Sequence, residues 1–271
     1  MIKYTPFPIN IIYSFNSQEQ ANYTANEFYA KGDKQMSEWM KATGRALREV
    51  TEDSAPIHST ARLQFEHTIK RELDRIARTE VGRLLFAGLN AAVPVWIMPD
   101  PDLFWAATTS RIMTVKEGGG IRIKINPDQF SGILDTTLVH ELAHAVRRGH
   151  DRMYHFEFMR TEWPSVEEFI ATQFENIYRS EQGNQKLLGQ YLHVIGKYSS
   201  KGDIYRYFIE EPQMIQALKF CIDNEPMVKA ITKLPAGRPE YNPFRDYLIL
   251  ERMALGKLQT PGSPAGKLIP I

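Results

Sequence analysis

One cysteine, Cys221, stands in 271 residues, so no intrachain disulfide can form and the fold must hold without one. Cys221 falls in the helix-like run Ile215–Ile222, where a packed thiol is expected rather than a nucleophile. No apolar run approaches the length of a bilayer span, so no membrane span is expected. Pro6, Pro8 and Asn10 interrupt the first apolar stretch, which excludes a secretory signal helix there. Excess charge is also missing. A formal net charge of +1 gives no reason to expect nucleic acid or an anionic membrane as partner. Internal repeats and low-complexity blocks are absent. What remains is a chain with 43% hydrophobic residues, enough for a substantial core.

The pattern along the chain predicts three parts. Residues 1–33 are polar and weakly patterned, and read as a poorly ordered arm or short peripheral elements. Residues 34–256 read as a single α+β domain with helical N- and C-terminal parts. Residues 257–271, with Pro261, Gly262 and Pro264, read as a loose tail. Within the domain, helices are expected at 34–50, 61–78 and 81–89, with a loop at 51–60. Arg62, Lys70, Arg71, Asp74 and Arg75 form a solvated face on the second helix. Val93–Met98 and Ile121–Ile125 read as strands. Pro94 places the first at an edge or at a strand start. The glycine triplet 118–120 precedes no phosphate-binding helix and reads as a flexible turn. Further helices are expected at 165–181, 184–197, 204–209, 213–222, 225–233 and 245–256.

The most specific feature is His140-Glu-Leu-Ala-His144, inside the apolar helical run 138–148. Residues four apart share a helix face, so the two imidazoles stack one turn apart and can grip one Zn²⁺. Glu141 lies beside them, placed to act as a general base. Leu138, Leu142, Ala145 and Val146 give this helix a surface to bury. Asp135, Thr136 or Thr137 can cap its start. Arg147 and Arg148 suit its C-terminus, and Gly149 can end it. One satisfied core histidine would be ordinary, but two at this spacing with the Glu directly after the first point to a metal.

Two histidines leave a catalytic zinc one protein ligand short. His150 has the spacing of the extended motif His-Glu-x-x-His-x-x-Gly-x-x-His, but Arg147 stands where that motif needs glycine. A carboxylate from the next helix, Glu168 or in reserve Glu167, can reach over the first helix. Ser165 and Glu168 also match a capping box, in which Glu168 would only satisfy a backbone N–H. Thr172, one turn later, could orient a ligand. Asp151, His155 and Glu157 complete the candidates. Tyr154, His155, Tyr241, Arg245 and Tyr247 are candidates to stabilise an oxyanion.

Leu138-Val-His-Glu-Leu-Ala-His-Ala, with Ile121–Asn126 before it and Glu167-Glu-Phe after it, resembles the type III secreted effector zinc metallopeptidases of bacterial pathogens (NleD-like). Thr79-Glu-Val-Gly-Arg-Leu-Leu85 and Tyr241-Asn-Pro-Phe-Arg245 are similar to that family more loosely. The pattern Glu-Phe-Ile-Ala is also similar to the third-ligand helix of anthrax lethal factor-like proteases, where the Glu before Phe binds zinc, which favours Glu168. The resemblance spans roughly residues 79–250; only the His-Glu-x-x-His core is specific.

It implies a zincin-like fold, mainly helical with a small mixed sheet above the zinc helix. The ligands would be His140, His144 and Glu168, with Glu141 as base. The implied activity is zinc-dependent cleavage of specific host proteins, after secretion without a signal peptide and delivery into the host cytosol. The alternatives are a zinc amidase or peptidase acting on small or cell-wall peptides of competitor bacteria, and a non-catalytic zinc-binding interaction protein.

Overall fold

The computed structural model describes residues 2–11, 55–100, 103, 107–112, 120–126, 133–152, 165–184, 186–188, 198–199, 201–210 and 212–258. The helix expected over 34–50 and the tail after 258 lie outside them.

Alternation of isoleucine with basic residues makes β5 (Gly120–Ile125) a strand with one buried face: Ile121, Ile123 and Ile125 are inaccessible. It pairs in parallel with β3 (Val95–Pro99), which pairs in parallel with β2 (Ile9–Ile11). The register aligns Ile9 with Val95 and Ile121, and Ile11 with Ile97 and Ile123. Aligned residues share a sheet face, so these six side chains form two continuous apolar rows. Each contributes about 1.5–3 kcal/mol by burial. The edges are antiparallel: β1 (Ile2–Tyr4) lies outside β2, and β4 (Ala107–Ile112) outside β5. The five-stranded mixed sheet therefore runs β1-β2-β3-β5-β4.

Eight helices are found among the described residues: α1 (Ala55–Ile76), α2 (Glu80–Gly88), α3 (Leu134–Gly149), α4 (Val166–Glu181), α5 (Lys201–Glu210), α6 (Pro212–Asn224), α7 (Pro226–Ile231) and α8 (Tyr247–Leu258). The architecture is α+β. α3 packs on the β4–β5 end of the sheet, with α1, α2 and α4 around it. Beyond α4, helices α5 to α8 pack on one another, and a two-stranded ribbon, β6 (Leu187–Leu188) with β7 (Tyr198–Ser199), lies beside α4 and α5. Among the described residues no helix is long and apolar enough to cross a membrane.

Four sequence expectations need correction. Of the two readings of the first residues, the poorly ordered arm does not hold for 2–11, which form two short strands of the central sheet: Pro6 and Pro8 occupy the turn between β1 and β2, and Ile9 and Ile11 are buried. The expected helix at 184–197 is broken by β6, because the Asn176 side chain both donates to Leu188 O (2.8 Å) and accepts from Leu188 N (2.7 Å), as a neighbouring strand would. The loop expected at 51–60 is helical from Ala55, where Pro56 sits in the first turn and needs no N–H partner. Residues 257 and 258 belong to α8 rather than to the tail.

The turn between α1 and α2 is tight. Thr79 Oγ1 donates to Ile76 O (2.7 Å) and accepts from Gly82 N (3.0 Å), capping α2. A Cβ on Gly82 would stand 2.0 Å from the Ile76 carbonyl oxygen, so the backbones can approach this closely only with glycine. Gly82→Ala is expected to destabilise the fold by about 2 kcal/mol, read as a fall in Tm of roughly 5 °C. An unchanged melt would show that the two helices do not meet this closely.

Candidate metal centre

α3 is buried almost all round, and polar side chains on it therefore need internal partners. His140, His144 and Arg147 follow one another at four and three residues, so they form one stripe along the face that meets α4. α4 presents carboxylates to that stripe in the reverse order. Glu175 Oε2 lies 3.5 Å from His140 Nδ1, and Glu168 Oε2 lies 3.0 Å from His140 Nε2. Glu168 Oε1 lies 3.3 Å from His144 Nε2, and Glu167 takes both Nε and Nη2 of Arg147 at 2.7 Å.

The Nε2 atoms of His140 and His144 are 3.2 Å apart. With a Glu168 oxygen they form a group whose donor atoms all lie within 4.8 Å of one another, the histidines buried and Glu168 partly exposed. Two ring nitrogens and a carboxylate facing inward need a proton or a cation between them. Donors placed about 2.0–2.1 Å from a tetrahedral ion stand about 3.3 Å from each other. The ring nitrogens stand 3.2 Å apart, and each faces a different oxygen of the one carboxylate, His140 Nε2 at 3.0 Å from Oε2 and His144 Nε2 at 3.3 Å from Oε1, so the cluster is close to that size, and the donor set of two imidazoles and one carboxylate suits zinc. Glu141, next along α3, is buried and close enough for its charge to act on His140.

The electrostatics follow from the geometry. Burial opposes the charged imidazolium of His140, but hydrogen bonds to Glu168 and Glu175 outweigh it and push its pKa up to about 10. Burial likewise opposes ionisation of Glu168, yet the two histidines hold its carboxyl well below the usual carboxylate range. Glu175 is lowered in the same way against its burial, by His140 and by Arg179, whose Nε and Nη2 donate to it at 3.0 and 2.8 Å.

The other candidates fall elsewhere. Glu167 is committed to Arg147. His150 is exposed, and its Nε2 lies 3.0 Å from Gly88 O. Asp151 follows the end of α3 in the left-handed region (φ 53°). There Arg152 N donates to Arg147 O (2.9 Å) and Asp151 N to Arg148 O (3.2 Å), so the helix ends at Gly149 as expected, with His150 as its C-cap and Asp151, not a glycine, in the left-handed position beyond it. The start of α3 is not capped by Asp135, Thr136 or Thr137. Its N-cap is Ile133, with no side-chain cap bond, while Asp135 accepts from Tyr178 Oη (2.9 Å). Ser165 does cap α4, accepting from Glu168 N (3.2 Å), but the Glu168 carboxylate turns to the histidines instead of completing a capping box. Thr172 donates to the backbone carbonyl of Glu168 (2.8 Å), not to its carboxylate.

Tyr154, His155 and Glu157 lie outside the described residues. Tyr241 is buried and its hydroxyl donates to Gln173, the Tyr247 hydroxyl donates to Glu251, and Arg245 is spent on Asp246 and three backbone carbonyls. Sequence reasoning missed Glu175, although it stands two full turns after Glu168 and hence on the same face. It also missed the burial of Arg147. No protein-family model matches the chain, and no curated protein or solved structure is significantly similar to it.

Proposed function

We propose that the protein is a zinc-dependent endopeptidase of zincin-like fold, with His140, His144 and Glu168 holding the metal. The observation that carries this reading is the convergence of two imidazole nitrogens, 3.2 Å apart, on the two oxygens of one carboxylate, with Glu141 adjacent on a buried helix. When bound, zinc supplies a Lewis acid that polarises a peptide carbonyl and acidifies water. Glu141 takes the proton of the attacking water on its carboxylate and returns it to the leaving amine. Glu175 accepts from His140 Nδ1–H, which fixes the tautomer and leaves Nε2 as the donor atom. Arg179, on its other side, keeps Glu175 ionised. Among the described residues β4 is the last strand of the sheet on the side of α3, and its outer edge suits an extended peptide that adds as a further strand. The resemblance to effector metallopeptidases extends the reading to cleavage of specific host proteins after delivery into their cytosol.

Elemental analysis of the zinc-supplied protein should return one ion per chain. A survey of new protein N-termini in host lysate should show discrete cleavages that disappear with chelator. Cleavage of cell-wall peptides alone would replace the substrate class, and absence of stoichiometric metal would overturn the reading. Metal must also displace the proton that His140 carries below about 10. Zinc affinity measured by chelator competition is therefore expected to rise about tenfold per pH unit between roughly pH 6 and 9. A flat profile would contradict the His140 assignment.

A further inference from the structure

Among the described residues Arg147 is the largest fully buried side chain, and one turn separates it from His144. A guanidinium with no exposure is a severe desolvation burden, yet every side of it is met. Glu167 takes it in a two-pronged grip from α4, and Glu225 accepts from Nη1 at the start of α7. Cys221 Sγ from α6 lies 3.2 Å from Nη1, and the Arg152 carbonyl accepts from Nη2 (3.1 Å) just past the end of α3. One side chain thus ties α3 to α4, α6 and the start of α7.

Glu167 and Glu168 are consecutive on the first turn of α4, so their side chains leave the helix about 100° apart. A planar fork gripping both oxygens of Glu167 fixes the roll of α4 about its own axis, in a way that a single hydrogen bond or a lysine cannot. With the roll fixed, the adjacent carboxylate is directed at the two imidazoles. We infer that Arg147 and Glu167 are positioning residues for the metal centre, setting the rotation of α4 that presents Glu168 to His140 and His144. Both act through Glu168. This rests on the metal-site reading above. It also gives a role to the arginine that occupies the position where other zinc helices turn at glycine: here the chain runs straight on, and the third ligand comes from a helix locked to it.

Two variants separate positioning from mere stability. Glu167→Gln keeps the shape but turns one acceptor of the fork into a donor. The triple variant Arg147→Met, Glu167→Leu, Glu225→Leu replaces the buried ions by apolar groups of similar volume, an exchange that folds tend to tolerate. Zinc affinity by chelator competition and the visible spectrum of the cobalt-substituted protein are read on each, after a melt of the metal-free form shows it folded. Loss of roughly ten- to a hundredfold in zinc affinity, with a changed cobalt spectrum, is expected. Wild-type affinity and spectrum in either folded variant would overturn the inference, and if the triple variant does not fold, Glu167→Gln decides. Failure of the wild-type protein itself to bind zinc would instead remove the metal site.

Discussion

Glu141→Gln is expected to bind one zinc per chain with affinity close to wild type while losing peptide cleavage by about three orders of magnitude or more. General base catalysis alone typically contributes 10²–10⁴-fold. Gln cannot accept a proton, so the whole of that contribution is lost. Glu141 is not among the three donors that converge, so its amide should leave His140, His144 and Glu168 in place. The substitution also removes a negative charge whose field supports the His140 imidazolium. Metal-free His140 should then give up its proton at lower pH, but the same field also favoured the bound dication, so zinc affinity near neutral pH should stay close to wild type. Steady-state cleavage of a substrate found by N-terminus profiling, with metal content measured on the same sample, decides the matter. Full cleavage by the variant would remove Glu141 from the base role; loss of zinc together with cleavage would make it a structural group of the site.

The pair on α3 was legible because helical spacing is local: residues 140 and 144 share a face whatever the rest of the chain does. Glu168 was legible only as one of several carboxylates, because the sequence could not give the roll of α4. The structure separates Glu167 from Glu168 through Arg147, a residue that in sequence looked like an ordinary basic ending to a helix. It is held by two carboxylates, Glu167 on the next helix and Glu225, 78 residues away.

The same limit applies to the sheet. β5 announced itself by strict alternation, and β3 by an apolar run. β2 is three residues long, flanked by a proline-rich turn, and gains its meaning from pairing with a strand more than 80 residues later. β4, Ala-Thr-Thr-Ser-Arg-Ile, shows little alternation, as suits a strand that lies at the sheet's edge among the described residues. Long-range pairing, not local propensity, made those elements.

Arg147→Ala is expected to be the most damaging single substitution for stability among the charged residues of this interface. Removing one partner of a buried ion pair typically costs about 3–5 kcal/mol, because the remaining charge is left without compensation. Here two carboxylates, Glu167 and Glu225, lose the same cation, and burial already holds the Glu225 carboxyl above its ordinary range despite Arg147 beside it. A fall in Tm of roughly 10 °C should result at neutral pH. The contrast is Lys70→Ala, which breaks an exposed pair with Asp74 and should move the melt by less than about 2 °C. The defect should also depend on pH in a defined direction. Without the guanidinium, the buried Glu225 carboxyl, already raised by burial, holds its proton to higher pH in the folded state than in the unfolded chain. The folded variant is then least penalised below the ordinary carboxylate pKa, and loses stability as pH rises through the raised value. The gap in Tm between wild type and Arg147→Ala should therefore be smaller at pH 5 than at pH 8. A gap that is the same at both, or a melt within about 2 °C of wild type throughout, would mean that Glu167 and Glu225 do not depend on this arginine, and the lock between α3 and α4 would have to be sought elsewhere.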